Sequence, residues 1–252
     1  MRYRLSNQWL HSATMTAARL PFICFFAAIA VTPASASPWP RQTGSTFTSL
    51  STEIDRDGNS YSSIYAEYGL APRNTLGLEA GRSDAGETRA LIWLQRALDD
   101  GTGNNRFSAA MGLGVIRRDG LFYPTGQISG GWGRGVETSL GDGWLTIEAK
   151  LEMSGGMDLQ TMMSREATAQ DTYLTPEYLA KAELTFGVRP DRDWMVINQL
   201  RIEDRSDDEL SLKYAGSLVR EVIGPMKLEL GGILPLRGPG QPAVKIGTWL
   251  EF

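Results

Sequence analysis

Hydrophobic and polar side chains alternate along most of this chain. Leu145, Ile147, Ala149, Leu151 and Met153 interleave with Thr146, Glu148, Lys150 and Glu152. Tyr178, Ala180, Ala182, Leu184, Phe186 and Val188 interleave with Lys181, Glu183 and Thr185. Val244, Ile246, Thr248, Leu250 and Phe252 interleave with Ala243, Lys245 and Gly247. A period of two places one set on each face of an extended strand. The same pattern, less clean, runs through 45–54, 60–70, 74–83, 87–98, 105–117, 121–135, 194–204, 208–219 and 225–235. Turn residues separate the stretches, and no long amphipathic helix follows Trp39.

This reading predicts about twelve antiparallel strands of roughly ten residues each, the length a tilted strand needs to cross a bilayer. Strands in soluble proteins are nearer five or six residues. The expected fold is all-β: a single transmembrane β-barrel, an up-and-down meander with an even strand number. The connections differ in kind. Ala71–Asn74 and Arg189–Asp193 are tight; Asp55–Asn59, Arg117–Gly120, Asp204–Asp208 and the long stretch 154–172 belong to the opposite, outer rim. Aromatic residues fall near strand ends and predict two girdles at the headgroup level. Phe107, Trp144, Phe186, Trp194, Trp249 and Phe252 form the inner one. Tyr61, Phe122, Tyr123, Tyr173 and Tyr178 form the outer one. Trp93 and Trp132 fit neither. The fold-level rival is a soluble secreted β-sandwich.

The first 36 residues depart from this pattern. Arg2, Arg4 and Arg19 are their only charges, an apolar run spans Leu20–Val31, and Ala34-Ser35-Ala36 has small residues at both ends. That is the layout of a secretory signal cut after Ala36, with Met15 as an alternative start. The run is too short to span a bilayer as a helix. The expected organisation is a cleaved signal at 1–36, a short periplasmic segment at 37–43 and a barrel at 44–252.

Export changes the chemical inventory. The only Cys (Cys24) and the only His (His11) leave with the signal. Ile23 before Cys24 argues against lipidation there. Losing three of 25 cationic residues and none of 29 acids brings the net charge to about −7. No basic excess points to nucleic acid.

The chain ends Lys245-Ile-Gly-Thr-Trp-Leu-Glu-Phe252. An alternating last strand closed by an aromatic resembles the terminal strand of Gram-negative outer-membrane barrel proteins. The resemblance implies export to the outer membrane, contact with its lipids, and recognition of Trp249 and Phe252 by periplasmic chaperones and the barrel-assembly machinery. Enzymes of that class resembling phospholipases, lipid A deacylases or omptins need a histidine as proton acceptor. A mature chain without His and Cys is expected not to be one. A lipid-modifying enzyme using neither stays open as an alternative.

Asp55-Arg-Asp57-Gly-Asn59 has oxygen donors at alternate positions, like the start of a calcium loop. Ser60 stands where that loop needs Gly and Ala66 where it needs Glu, so a polar hairpin turn is the reading. Met153, Met157, Met162 and Met163 read as packing for the long outer loop rather than a soft-metal site. No metal or cofactor is expected.

The face opposite the apolar one carries Glu67, Glu79, Glu148, Glu152, Glu183, Glu203 and Glu229 with Arg89, Lys150, Lys181, Arg201, Lys213, Lys227 and Lys245. A base facing lipid at mid-membrane costs roughly 2–4 kcal/mol. These residues are therefore expected to line the lumen and to pair across strands. Arg96 falls on the lipid side near a strand end and must snorkel. The functional expectation is a passive, porin-like small-solute channel or a structural envelope barrel, with little ion selectivity. The alternative is an interaction barrel that binds a ligand through loop 154–172.

Overall fold

The computed structural model describes residues 38–155, 177–206 and 209–252. The signal segment lies outside the described residues. So do Tyr173, Met157, Met162, Met163 and most of loop 154–172.

Twelve strands follow in order. They are β1 (Thr46–Asp55), β2 (Ser60–Ala71), β3 (Asn74–Ser83), β4 (Thr88–Ala97), β5 (Asn105–Arg118), β6 (Leu121–Thr138), β7 (Gly141–Ser154), β8 (Glu177–Arg189), β9 (Trp194–Arg205), β10 (Ser211–Ile223), β11 (Met226–Arg237) and β12 (Ala243–Glu251). Each is antiparallel to its sequence neighbour, and β1 pairs with β12, so the sheet closes on itself without an edge. Closure matters because an unpaired strand edge in hydrocarbon leaves backbone polar groups unsatisfied. The expected meander barrel is the observed fold.

An even strand number puts both chain ends at one rim, here called the terminus rim. The turns at 72–73, 139–140, 190–193 and 224–225 share it, with a longer hairpin at 98–104. The other is the loop rim. There Asp119 (φ 52°) and Gly120 (φ 83°) close β5 onto β6, as an Asp-Gly hairpin turn requires. Asp55 caps the β1–β2 turn: its Oδ1 accepts the Asp57 and Asn59 N–H groups, each at 2.9 Å. The calcium-like stretch is thus a side-chain-capped turn.

Strand parity decides what meets lipid. Leu113 is 73% exposed on the outer wall, whereas Leu91, on the inner face of the adjacent strand, is 1% exposed. Arg96 points outward and is exposed, as the next-to-last residue of β4, where a long side chain reaches the rim. Arg220 does likewise, its guanidinium 4.9 Å from the Trp194 ring centre.

The aromatic girdles need correction. Phe107, Phe186 and Phe252 at the terminus rim, and Phe122 and Tyr178 at the loop rim, are outward and exposed. Trp144, Trp249, Tyr61 and Tyr123 instead share parity with lumen residues and point inside. Closeness to a strand end is the same for both groups; only parity separates a headgroup anchor from a lumen filler. Trp93, which fitted neither girdle, is 7% exposed inside the barrel.

Candidate solute pathway

The interior near the terminus rim is packed. Trp144, Met195, Ile197 and Val219, from β7, β9 and β10, form a buried cluster, with Trp39 and Trp249 against it. From Trp249 a chain of rings continues through Phe47 (5.6 Å between centroids) to Tyr65 (6.2 Å) and Trp93 (6.0 Å). Glycines make room for the indoles. Gly77 and Gly112 flank Trp93 directly on β3 and β5, and Gly187 faces Trp144 on β8. An added Cβ at Gly77 would lie 2.0 Å from the Trp93 ring, and one at Gly187 2.1 Å from the Trp144 ring.

The segment before β1 belongs to this packed zone. Of the segment 37–43, expected as a short periplasmic piece before the barrel, the described residues 38–43 pack against the inner walls. Pro38 is fully buried. A Cβ on Gly133 of β6 would be 2.7 Å from both Pro38 and Trp39. Arg41 is 7% exposed, ion-paired with Glu67 of β2 and 3.5 Å from Glu251 of β12. Its N–H donates to Thr75 of β3 at 2.9 Å, and its guanidinium sits 4.5 Å from the Phe47 ring centre. β6 and β12 are six strands apart whichever way the ring is followed. The segment therefore crosses the lumen from wall to wall, and we call it the crossbar. The chain leaves it by a turn in which Gly44 (φ 84°) donates to the Gly69 carbonyl at 2.8 Å.

The lumen walls are charged both beside the crossbar and above it. Arg89 of β4 reaches over two strands to Glu152 of β7 (2.6 Å), with Glu79 at 3.9 Å. Arg201 of β9 reaches Glu53 of β1 and Glu183 of β8, both at 3.5 Å. Glu203 sits between Lys181 (3.2 Å) and Lys213 (3.9 Å). Lys245 meets Glu229 at 3.0 Å, and Lys227 meets Glu251. Glu148 and Lys150 meet each other at 3.9 Å. Glu67 accepts from the Tyr65 hydroxyl at 2.6 Å besides pairing with Arg41. All fourteen charged residues singled out from sequence point inward. Trp249 also points inward and donates to Glu229 at 3.0 Å, whereas Phe252 is 69% exposed.

Glu53, Glu251 and Arg41 are among the charged lumen residues that the sequence reading passes over. Glu53 shares parity with Ser49 and Ser51, a signal present but faint among β1's hydroxyls. Glu251 lies beside the terminal aromatic and was read as part of that motif. Arg41 precedes any periodic stretch, so no local signal marks it.

Arg41 of the crossbar and several of these charged residues line a cavity of about 390 Å³. Aromatic and hydroxyl groups of β1 and β2 (Phe47, Ser51, Tyr61, Tyr65) form one wall. Charged residues of β7, β8 and β9 form the other.

No protein-family model and no curated protein matches the chain. Solved structures do resemble it. The KdgM porin superposes with a TM-score of 0.55 at 10% identity, covering 82% of this chain and 99% of that one. The NanC porin gives 0.56 at 8% identity, covering 81% and 98%. The COG4313 outer membrane channel from Pseudomonas putida F1 gives 0.54 at 10% identity, covering 86% and 100%. At such identities the likeness concerns the fold. The chain shares the closed β-barrel fold of these outer-membrane porins and channels, here with twelve strands.

Proposed function

We propose that the protein is a passive outer-membrane channel for small polar solutes, held closed at its terminus rim by the crossbar. The observation that carries this reading is the cavity of about 390 Å³ inside the barrel wall, lined by charged, hydroxyl and aromatic side chains, within the range of small-molecule sites. The fourteen charged residues and Glu53 line the path. Their near balance of sign gives weak ion selectivity. The terminus rim faces the periplasm and the loop rim the exterior. Export proceeds through the cleaved signal. Cleavage after Ala36 leaves Ser37 as the free end, one residue before the crossbar. Lipids contact the outward apolar face, and assembly factors read the exposed Phe252 with its strand. The protein is not an enzyme on this reading.

Planar-bilayer recordings test the proposal. The mature protein should conduct rarely, and Trp39→Ala, which removes the crossbar's largest apolar side chain from the buried cluster, should conduct steadily. Silence from both, with the barrel folded by heat-modifiable gel mobility, leaves the structural-barrel role instead. The reading that loop 154–172 binds a partner is tested separately by deleting that loop.

A further inference from the structure

The cavity wall formed by β7 and β8 has an unusual charge arrangement. Lys150 is directly opposite Lys181, and Glu148 is directly opposite Glu183. Like charges in register on neighbouring strands repel. Two of the four find help elsewhere. Lys181 pairs with Glu203 at 3.2 Å. Glu183 accepts from Gln199 at 2.8 Å and from Thr185 at 3.0 Å, and lies 3.5 Å from Arg201. Among the described residues Lys150 and Glu148 have an ion pair only with each other, at 3.9 Å, beyond hydrogen-bond length. All four line the cavity. The wall thus presents a cationic pair and an anionic pair, one step apart along the strands. Successive residues on one face are about 6.6–6.8 Å apart.

We infer that this wall binds a small zwitterionic solute, with an acid group between Lys150 and Lys181 and an ammonium group between Glu148 and Glu183. A ligand carrying both charges relieves both repulsions at once. An anion or a cation alone relieves one and leaves the other. The facing wall suits the rest of such a molecule: Tyr65 and Phe47 offer apolar faces to its carbon skeleton, and Ser51 and Ser63 offer hydroxyls. An ammonium group near those rings also gains a cation–π contribution. The inference names the solute class for the channel proposed above. The site itself stands on the cavity, so binding can be measured apart from conductance.

The test is equilibrium binding to the folded mature protein in detergent, by calorimetry. The probes are γ-aminobutyrate, butyrate and butylammonium, which share a chain length and differ in charge. γ-Aminobutyrate should bind at least about tenfold more tightly than either singly charged probe, a difference made by charges left unpaired. Equal binding of the three, or binding of none, overturns the inference whatever the conductance. Glu148→Lys combined with Lys150→Glu is the second arm. The double exchange keeps composition and net charge but turns both like-charged pairs into opposite-charged ones. It should raise the melting temperature and abolish γ-aminobutyrate binding. Binding that survives the exchange on a folded barrel overturns the assignment to this wall.

Discussion

Trp93 of β4 lies against the bare backbone of Gly77 on β3, so close that a single added Cβ would fall 2.0 Å from its indole ring. The two residues are directly paired across the strands and both face the lumen. Here the barrel wall is shaped by its filling. Gly77→Ala should destabilise the barrel by about 1–3 kcal/mol, the usual cost of overpacking. Urea unfolding in detergent measures it. Gly86→Ala, at a turn with open space but φ 95°, separates lost backbone freedom from lost room.

Gly133 plays the corresponding part for the crossbar. Gly133→Ala brings a methyl to 2.7 Å from Pro38 and Trp39 while leaving the segment's own residues unchanged. Dislodging the crossbar from the wall side should increase steady conductance several-fold, as Trp39→Ala does from the other side. Unchanged closure in both variants would mean that the segment does not control passage.

Arg89 and Glu152 form an ion pair across β5 and β6, with side chains 12% and 3% exposed. Removing one partner leaves a buried charge. Arg89→Gln should cost about 3–5 kcal/mol. Replacing both with Met and Leu should recover most of that loss, because the surviving charge is gone. Chemical unfolding of the three variants checks the order. A double variant less stable than the single one would contradict it.

The hairpin at 98–104 should loosen in acid. Burial raises the Asp99 pKa, but the N–H groups of Phe107 and Gly101 and the nearby Arg106 outweigh it, and the net shift is downward from the ordinary 3.8. A folded pKa below the unfolded one stabilises the hairpin above the unfolded value, and that contribution is lost as pH falls through the folded value. Amide NMR resonances of Gly101 and Phe107, which donate to Asp99 at 2.9 and 2.7 Å, should move together below pH 3.8. Asp99→Asn should remove that transition.

Much of the wall could be read directly. Leu145 to Met153 interleaved with charged residues defines two faces without any partner, because parity is a local property of an extended chain. Strand length and turn chemistry are local too, and together they specify a closed meander. Strand ends were read less well: β6 continues to Thr138, past its expected end at 135, because Val136–Thr138 find partners in Gly141–Gly143 across a two-residue turn.

Whatever depends on how opposite walls meet was not legible. Trp144 and Phe186 are equally near a strand end, yet one fills the lumen and the other faces lipid. Gly77, Gly133 and Gly187 look like ordinary weak points of strands, and only the rings and the crossbar lying over them explain their lack of a side chain. The sequence by itself determined the alternation of faces, the number of strands and the charged character of one face, because each follows from neighbours along the chain. Only the tertiary structure decided that residues 38–43 cross the interior, that Arg41 joins β2 to β12, and that like charges on β7 and β8 come into register. Those contacts join residues far apart in sequence, and barrel curvature and register, not local propensity, set which of them meet.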